Sequence, residues 1–316
     1  MTTHQTARTL YTPPSPSGTI FAYRRLGTPS PSAHPVVPLL ILTHFRGVMD
    51  KFDPLLVNLL AAARPVLLVD YSGVGLSTGP VATSVRQSAS DILTFLSLIG
   101  ETEVDVLGFS LGGMVAQLVA LNSESAAEGP ESKSGRIKVR KLILAGTTPS
   151  AGPGAQGSPN AEDVGRWAGG KDVGVDAFKV LFFPRDREGD AAAESWWDRI
   201  HERGEAATAT ATATWLSDGY ADGGVGLRGQ SEQIGKWGSE EGSQGLDGSY
   251  ARLGGLGIPV LVVNGSDDYM IPTINSFTLQ QRLPNAQLIV YPRSGHGAIF
   301  QYATHFAQDA LRFLEA

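Results

Sequence analysis

The sequence predicts an α/β protein: a mostly parallel sheet flanked by helices. Three observations carry that expectation. Short apolar runs rich in Val, Ile and Leu recur along the chain. They lack the clean in–out alternation of a half-exposed strand, as parallel strands covered on both faces should. Stretches with helical spacing lie between them, and strand–helix alternation of this length builds a parallel sheet with helices on both sides.

In chain order the strand candidates are "VVPLLILTHF" (36–45), "PVLLVDYSG" (65–73), "VDVLGF" (104–109), "KLILAG" (141–146), "IPVLVVNG" (258–265) and "AQLIVYP" (286–292). Helix candidates occupy 52–63, 84–99, 111–122, 274–283 and 300–315. The alternation stops after the fourth run. Residues 151–250 hold no convincing buried strand, yet they contain Trp167, Trp196, Trp197, Trp215 and Trp237, every tryptophan of the chain. The repeat "EAATATATATW" (205–215) and a Gly-rich stretch from Gly223 to Gly257 also fall here. This segment is expected to be a mostly helical insertion ending in a flexible connection. The chain then divides into a first core part (1–150), the insertion (151–250) and a second core part (251–316). The acidic, Ser-rich stretch 122–135 reads as a solvated surface loop.

Composition narrows the function classes. At 316 residues the chain has room for one large α/β domain with an insertion, or for two domains. A net charge of −6 without a basic cluster argues against a nucleic-acid surface. With no cysteine, disulfides and thiolate chemistry are excluded. The histidines show no HExxH or other close ligand spacing, so no metal is expected. The first twenty residues lack the apolar core of a signal peptide. The richest apolar stretches are broken by Pro38, Asn58, Arg64 and Pro65, short of the ~18–20 uninterrupted residues a membrane helix requires. A cytoplasmic protein with no membrane or nucleic-acid partner is expected. No feature speaks to oligomeric state.

The third strand candidate ends in Gly108-Phe109-Ser110-Leu111-Gly112, followed by a helical pattern. Gly-x-Ser-x-Gly between a buried strand and a helix is a nucleophile elbow, a tight turn that presents a serine at the strand's C-terminal end. A side chain at Gly108 or Gly112 would collide with the neighbouring strand or helix. The serine sits at a helix N-terminus, where backbone N–H groups and the helix dipole favour a developing negative charge. A hydroxyl is a weak nucleophile and needs a base with an orienting acid. "IPVLVVNG" leads into "SDDYMIP", where the spacing from Gly265 and to Pro272 favours Asp268 over its neighbour Asp267. "AQLIVYP" leads into "RSGHGAIF", placing His296 between two glycines. Parallel strands put their C-terminal ends on one rim, so Ser110, Asp268 and His296 can converge. His296 would take the serine proton while Asp268 holds the imidazole tautomer and stabilises the imidazolium.

With "LTHFRG", "DYSGVGLS", "GFSLGG", "GSDDYMIP" and "SGHGAIF" in this order, the sequence resembles the α/β-hydrolase superfamily over most of its length. The resemblance implies an eight-stranded, mostly parallel sheet, an acyl-enzyme mechanism without a cofactor, and a cap domain where residues 151–250 fall. It also implies an oxyanion hole built from the N–H of Leu111 and one from the loop after the first long strand. That loop commonly reads His-Gly-x. Here it is His44-Phe45-Arg46-Gly47, which leaves the second donor between Phe45 and Arg46, with alignment on the histidine favouring Arg46. His44 is expected to brace the loop by hydrogen bonding to backbone. The Arg46 side chain is expected either to reach solvent or to bind a substrate carboxylate or phosphate. Caps of this kind roof apolar pockets, so Phe182, Phe183, Trp196 and Trp197, together with His44 on the loop, are candidate substrate contacts. Gly224-Val-Gly226-Leu-Arg-Gly229 matches GxGxxG but follows no strand, which speaks against dinucleotide binding.

Serine at position 110 disfavours the dehalogenase and epoxide hydrolase branches, which use aspartate there. The "HGGG" and "HGGPG" loops of other branches are absent. The expectation is a serine hydrolase acting on a small ester, lactone or thioester. The alternatives are a C–C bond hydrolase of β-diketone-like substrates, a cofactor-free perhydrolase related to haloperoxidases, and a binding protein without turnover.

Overall fold

The computed structural model describes residues 2–27, 36–123, 137–203 and 214–316. Most of the predicted surface loop at 122–135 and the Ala-Thr repeat lie outside the described residues. Eight strands form one sheet in the order β1-β2-β4-β3-β5-β6-β7-β8. They are β1 (Leu10–Tyr11), β2 (Ala22–Leu26), β3 (Leu39–Leu42), β4 (Val66–Val69), β5 (Glu103–Phe109), β6 (Lys138–Ala145), β7 (Val260–Gly265) and β8 (Ala286–Tyr291). The β1/β2 and β2/β4 pairs are antiparallel; every other pair is parallel. The mostly parallel eight-stranded sheet is therefore present.

The central strands bury both faces because successive apolar side chains point to opposite sides. In β3, Leu39 and Ile41 join one core cluster while Leu40 and Leu42 join the other. The flanking helices are α1 (Pro54–Ala63), α2 (Val85–Leu98), α3 (Leu111–Leu121), α8 (Ile274–Arg282), α9 (Ala298–Gln301) and α10 (Ala303–Glu315). Local signals start two of them. Asp53 accepts a hydrogen bond from the Leu55 amide with Pro54 in the first turn, and Ser84 accepts from the Gln87 amide. The helix expected over 300–315 begins earlier and breaks at Tyr302. The antiparallel strands β1 and β2 have no counterpart among the apolar runs. In β2 the motif is "AYRRL", and its buried Arg24 pairs with buried Asp50 and donates to the Thr9 hydroxyl.

Among the described residues, the α-helices between β6 and β7 include α4 (Ala161–Ala168), α5 (Val175–Leu181), α6 (Arg187–Arg199) and α7 (Val225–Trp237). Helix α7 corrects the expectation of a flexible Gly-rich connection at its N-terminal part. Its glycines serve close packing. A Cβ on Gly226 would lie 2.4 Å from Leu216 Cδ1, and one on Gly229 would lie 3.1 Å from Val81 Cγ1. The GxGxxG match is thus a helix with Gly224 as its N-cap, not a strand-to-helix phosphate turn. Among the described residues no helix is long and apolar enough to cross a membrane.

Candidate active site

Ser110 sits between β5 and α3 with φ of 57°, in the left-handed region that non-glycine residues rarely occupy. The flanking glycines permit that turn. A Cβ on Gly108 would lie 2.3 Å from the Gly112 carbonyl oxygen, and one on Gly112 would lie 2.2 Å from the Leu42 carbonyl oxygen in β3. The Ser110 amide donates to Ala145 O at 2.9 Å, and the Thr147 hydroxyl donates to Ser110 O at 2.8 Å. The strained residue is held from the neighbouring strand β6.

The three residues expected to converge do so. The Ser110 hydroxyl and His296 Nε2 are 2.9 Å apart, and His296 Nδ1 is 2.8 Å from Asp268 Oδ2. An Nδ1–H donated to the carboxylate leaves Nε2 as the acceptor for the serine proton. The other Asp268 oxygen accepts from the Met270 and Ile271 amides, both at 2.9 Å. Asp267 is exposed and bonds Ser266 instead. The C-terminal ends of β5, β7 and β8 thus supply the three groups on one rim.

The glycines around His296 also have a steric reason. The Phe182 carbonyl, just beyond α5, accepts from the Gly297 amide at 2.7 Å, and a Cβ on Gly295 would approach that carbonyl oxygen to 2.7 Å. Rings of Phe109 and Phe182 flank the imidazole with centroids at 5.1 and 5.3 Å.

The loop after β3 matches expectation at His44 and departs from it at both the amide and the side chain of Arg46. His44 donates through Nδ1 to Phe45 O at 2.9 Å, so it does brace the loop. Burial lowers its pKa to about 4, outweighing that hydrogen bond, and the ring is neutral at pH 7. The amide of Arg46 donates to Gln230 Oε1 of α7 at 2.7 Å. The amides of Phe45 and Leu111 make no hydrogen bond among the described residues. The Arg46 side chain neither reaches solvent nor stands free in the cleft. All three of its nitrogens donate to main-chain carbonyls: Nε to Leu216, one terminal nitrogen to Ala168 and Gly170, the other to Ser217.

Ser110, His44, Phe45 and Arg46 line a narrow cavity of about 30 Å³, closed above by Trp167, Val173, Phe178, Leu181, Phe182, Trp215 and Met270. Of the aromatic candidates, Phe182 lines it. Phe183, Trp196 and Trp197 are not among its lining residues. Trp196 is fully buried behind the wall, its ring 4.7 Å from that of Phe178 and 5.6 Å from that of Phe300. Trp167, Phe178 and Trp215 line the cavity without having been expected to, because which side of an insertion segment turns inward depends on its neighbours. Among the described residues no group of three or more metal-ligating side chains exists.

Comparison with known proteins agrees with this architecture. An α/β hydrolase fold protein from Chitinophaga pinensis superposes with a TM-score of 0.77 at 30% identity, covering 99% of each chain. A protein of Pseudomonas savastanoi pv. phaseolicola, provisionally named carbamate hydrolase RutD, is 24% identical over 90% of this chain and 96% of its own. A 2-hydroxymuconate semialdehyde hydrolase of Pseudomonas putida is 25% identical over 79% of this chain and 77% of its own. The alpha/beta hydrolase fold family model matches residues 37–302. The chain belongs to the α/β-hydrolase fold family.

Proposed function

We propose that the protein is a serine hydrolase that cleaves a small, uncharged carboxylic ester, lactone or thioester, with residues 151–250 serving as a cap over the site. The observation that carries this reading is the unbroken hydrogen-bond chain Ser110–His296–Asp268 at the floor of an apolar cavity.

For an ester the chemistry runs in two halves. Ser110 Oγ bonds to the carbonyl carbon as its proton passes to His296 Nε2. The resulting oxyanion is met by the Leu111 amide and, since the Arg46 amide is committed to Gln230, by that of Phe45. The imidazolium, stabilised by Asp268, gives its proton to the departing alkoxide as the C–O bond breaks. Water then adds to the acyl-enzyme with His296 as base, releasing the acid and restoring Ser110. Neutral His44 braces the loop and does not compete as a base.

Polarity favours this substrate class over a carboxylate-bearing C–C hydrolase substrate. The Pseudomonas putida relative is named for a semialdehyde of muconate, which retains a carboxylate. Among the described lining residues the sole cation is Arg46, and cap carbonyls engage each of its nitrogens. A carboxylate here would be buried without a partner, at a high desolvation cost. A perhydrolase would use the same three groups with peroxide in place of water. A binding protein has no need of the intact chain of three.

The test is labelling with a fluorophosphonate followed by peptide mapping, together with hydrolysis of p-nitrophenyl acetate. Stoichiometric adduct on Ser110, absent in Ser110→Ala and His296→Ala, supports the reading. Folded protein that neither labels nor turns over the ester overturns it. Peroxide-dependent bromination exceeding ester hydrolysis would select the perhydrolase instead.

A further inference from the structure

We propose that Arg46 is a positioning residue that couples seating of the cap to the shape of the oxyanion loop. This rests on the serine hydrolase reading above. Residues 44–47 form a tight turn closed by the Gly47 amide donating to His44 O at 2.9 Å. Arg46 occupies its third position with φ of 60°. Glycine or asparagine is the usual occupant of such a position, and a larger residue stays there only when its surroundings hold it.

Among the described residues, every hydrogen bond that holds Arg46 comes from the cap. Its amide donates to Gln230 Oε1 at 2.7 Å, and its carbonyl accepts from the Leu216 amide at 3.0 Å. The guanidinium donates to Leu216 O at 2.8 Å, Ala168 O at 3.1 Å, Gly170 O at 2.7 Å and Ser217 O at 3.0 Å. Two of those carbonyls lie at the C-terminal end of α4, where the helix dipole favours a cation. The cap carboxylates of Asp218, Asp222 and Asp172 add attraction from the same side. Gln230 is itself buried on α7, and one turn on, Gln233 ties that helix to the core by donating to Ala82 O at 2.7 Å.

The consequence concerns the neighbouring peptide. Phe45 supplies the second oxyanion donor in the mechanism above through the N–H of the His44–Phe45 peptide. The next peptide, Phe45–Arg46, carries the carbonyl that accepts from His44 Nδ1 at 2.9 Å, so a turn of the Arg46 backbone breaks the brace that fixes the donor peptide. With the cap seated, the strained turn is held and the Phe45 amide stays available. With the cap displaced, Arg46 loses all of these partners and the turn relaxes. Acylation is thereby confined to substrate enclosed beneath the cap, where water is excluded.

The test compares the full-length protein with Arg46→Met and Arg46→Lys by hydrogen exchange and by acylation kinetics. In Arg46→Met the amides of Leu216 and Gly47 should both exchange about tenfold or more faster, while the β5 amide of Val106 keeps its wild-type protection. The kcat for p-nitrophenyl acetate should fall about 100-fold with KM changed far less, as for loss of one oxyanion donor. Millimolar guanidinium chloride should restore part of the activity of Arg46→Gly. Faster exchange at Leu216 with Gly47 and kcat unchanged overturns the coupling, leaving Arg46 as a cap anchor only. If Arg46→Met does not fold, Arg46→Lys decides: an intermediate loss at both amides supports the proposal and a loss at Leu216 alone overturns it. A wild type inert to fluorophosphonate and ester defeats the hydrolase reading, while exchange at the two amides still decides the coupling.

Discussion

The carbonyl of Phe182 accepts a 2.7 Å hydrogen bond from the amide of Gly297, so the segment after α5 rests directly on the turn that carries His296. The imidazole is positioned from above by this backbone contact as well as from the side by Asp268. Gly295 leaves room for it. In Gly295→Ala the new methyl would stand 2.7 Å from Phe182 O, a backbone atom that cannot rotate aside. The expected result is a fall in kcat of about 10- to 100-fold from a misplaced imidazole, with stability reduced by about 1–3 kcal/mol. Steady-state kinetics beside a urea melt checks both; unchanged kcat would detach the His296 turn from Phe182.

On the proposed ester reading, the cavity wall is expected to set acyl length. Leu181 is buried and lines the space over Ser110. Leu181→Ala should raise kcat/KM for p-nitrophenyl hexanoate relative to acetate by about tenfold, within the range set by one or a few methylenes in an apolar pocket. Truncation of a buried leucine costs about 2–5 kcal/mol, so the ratio of the two substrates on one preparation is the quantity to measure. A constant ratio would mean that the acyl chain lies elsewhere.

Buried His4 makes the fold acid-sensitive. It donates through Nε2 to Met49 O at 2.9 Å, and desolvation chiefly, with Arg24 and Arg203 adding to it, lowers its pKa from 6.5 to about 4. The sign follows from proton counting. Between pH 6.5 and 4 the unfolded chain binds a proton that the folded chain refuses, so stability falls as pH falls through that window. The full loss is about 3 kcal/mol. His44, lowered to about 4 by burial, acts in the same direction. Asp70 opposes them: burial raises its carboxyl to about 7, so the folded state holds that proton from pH 7 down to 3.8. His4→Gln should therefore lose less stability than wild type between pH 6.5 and 4. Urea unfolding at several pH values reads the difference, and parallel curves would refute it.

Helix α6 is tied to the core by a two-pronged ion pair. Arg199 donates to Asp53 Oδ1 at 3.0 Å and to Oδ2 at 2.7 Å, with Asp53 fully buried. Burial raises the Asp53 pKa, and Arg199 is the main group opposing that rise. Arg199→Met should destabilise the protein at pH 7 by about 3–5 kcal/mol, because it leaves a buried carboxylate unpaired. Part of that loss should be recovered on lowering the pH, when Asp53 is protonated. The double variant Arg199→Met/Asp53→Asn should be more stable at pH 7 than Arg199→Met alone, as measured by thermal melts.

Much of the architecture was legible because its causes are local. The runs that became β3, β4 and β7 are buried on both faces, and their unbroken apolar pattern follows from burial in a parallel sheet. The antiparallel strands β1 and β2 were not legible. Arg24 looks like a surface residue until Asp50, far along the chain, is brought against it. The Gly-rich stretch misled for a related reason. Gly226 and Gly229 read as flexibility, whereas Leu216 and Val81 show them to be points of close approach within a helix.

The sequence by itself determined the elbow and the order of its partners. Gly108 and Gly112 are dictated by backbone atoms a few residues away or on the adjacent strand, and parallel strands bring Ser110, Asp268 and His296 to one rim. Only the tertiary structure decided what Arg46 does and which aromatic rings face the cavity. An arginine's donors suit solvent, a substrate carboxylate or main-chain carbonyls equally well. The choice among them was made by carbonyls 122 to 171 residues away in sequence. Likewise Trp196 and Phe178 are both buried aromatics of the insertion, and the packing of α5 against α6 left Phe178 to face Ser110. Residue chemistry states what a side chain can bind; the fold supplies the partner.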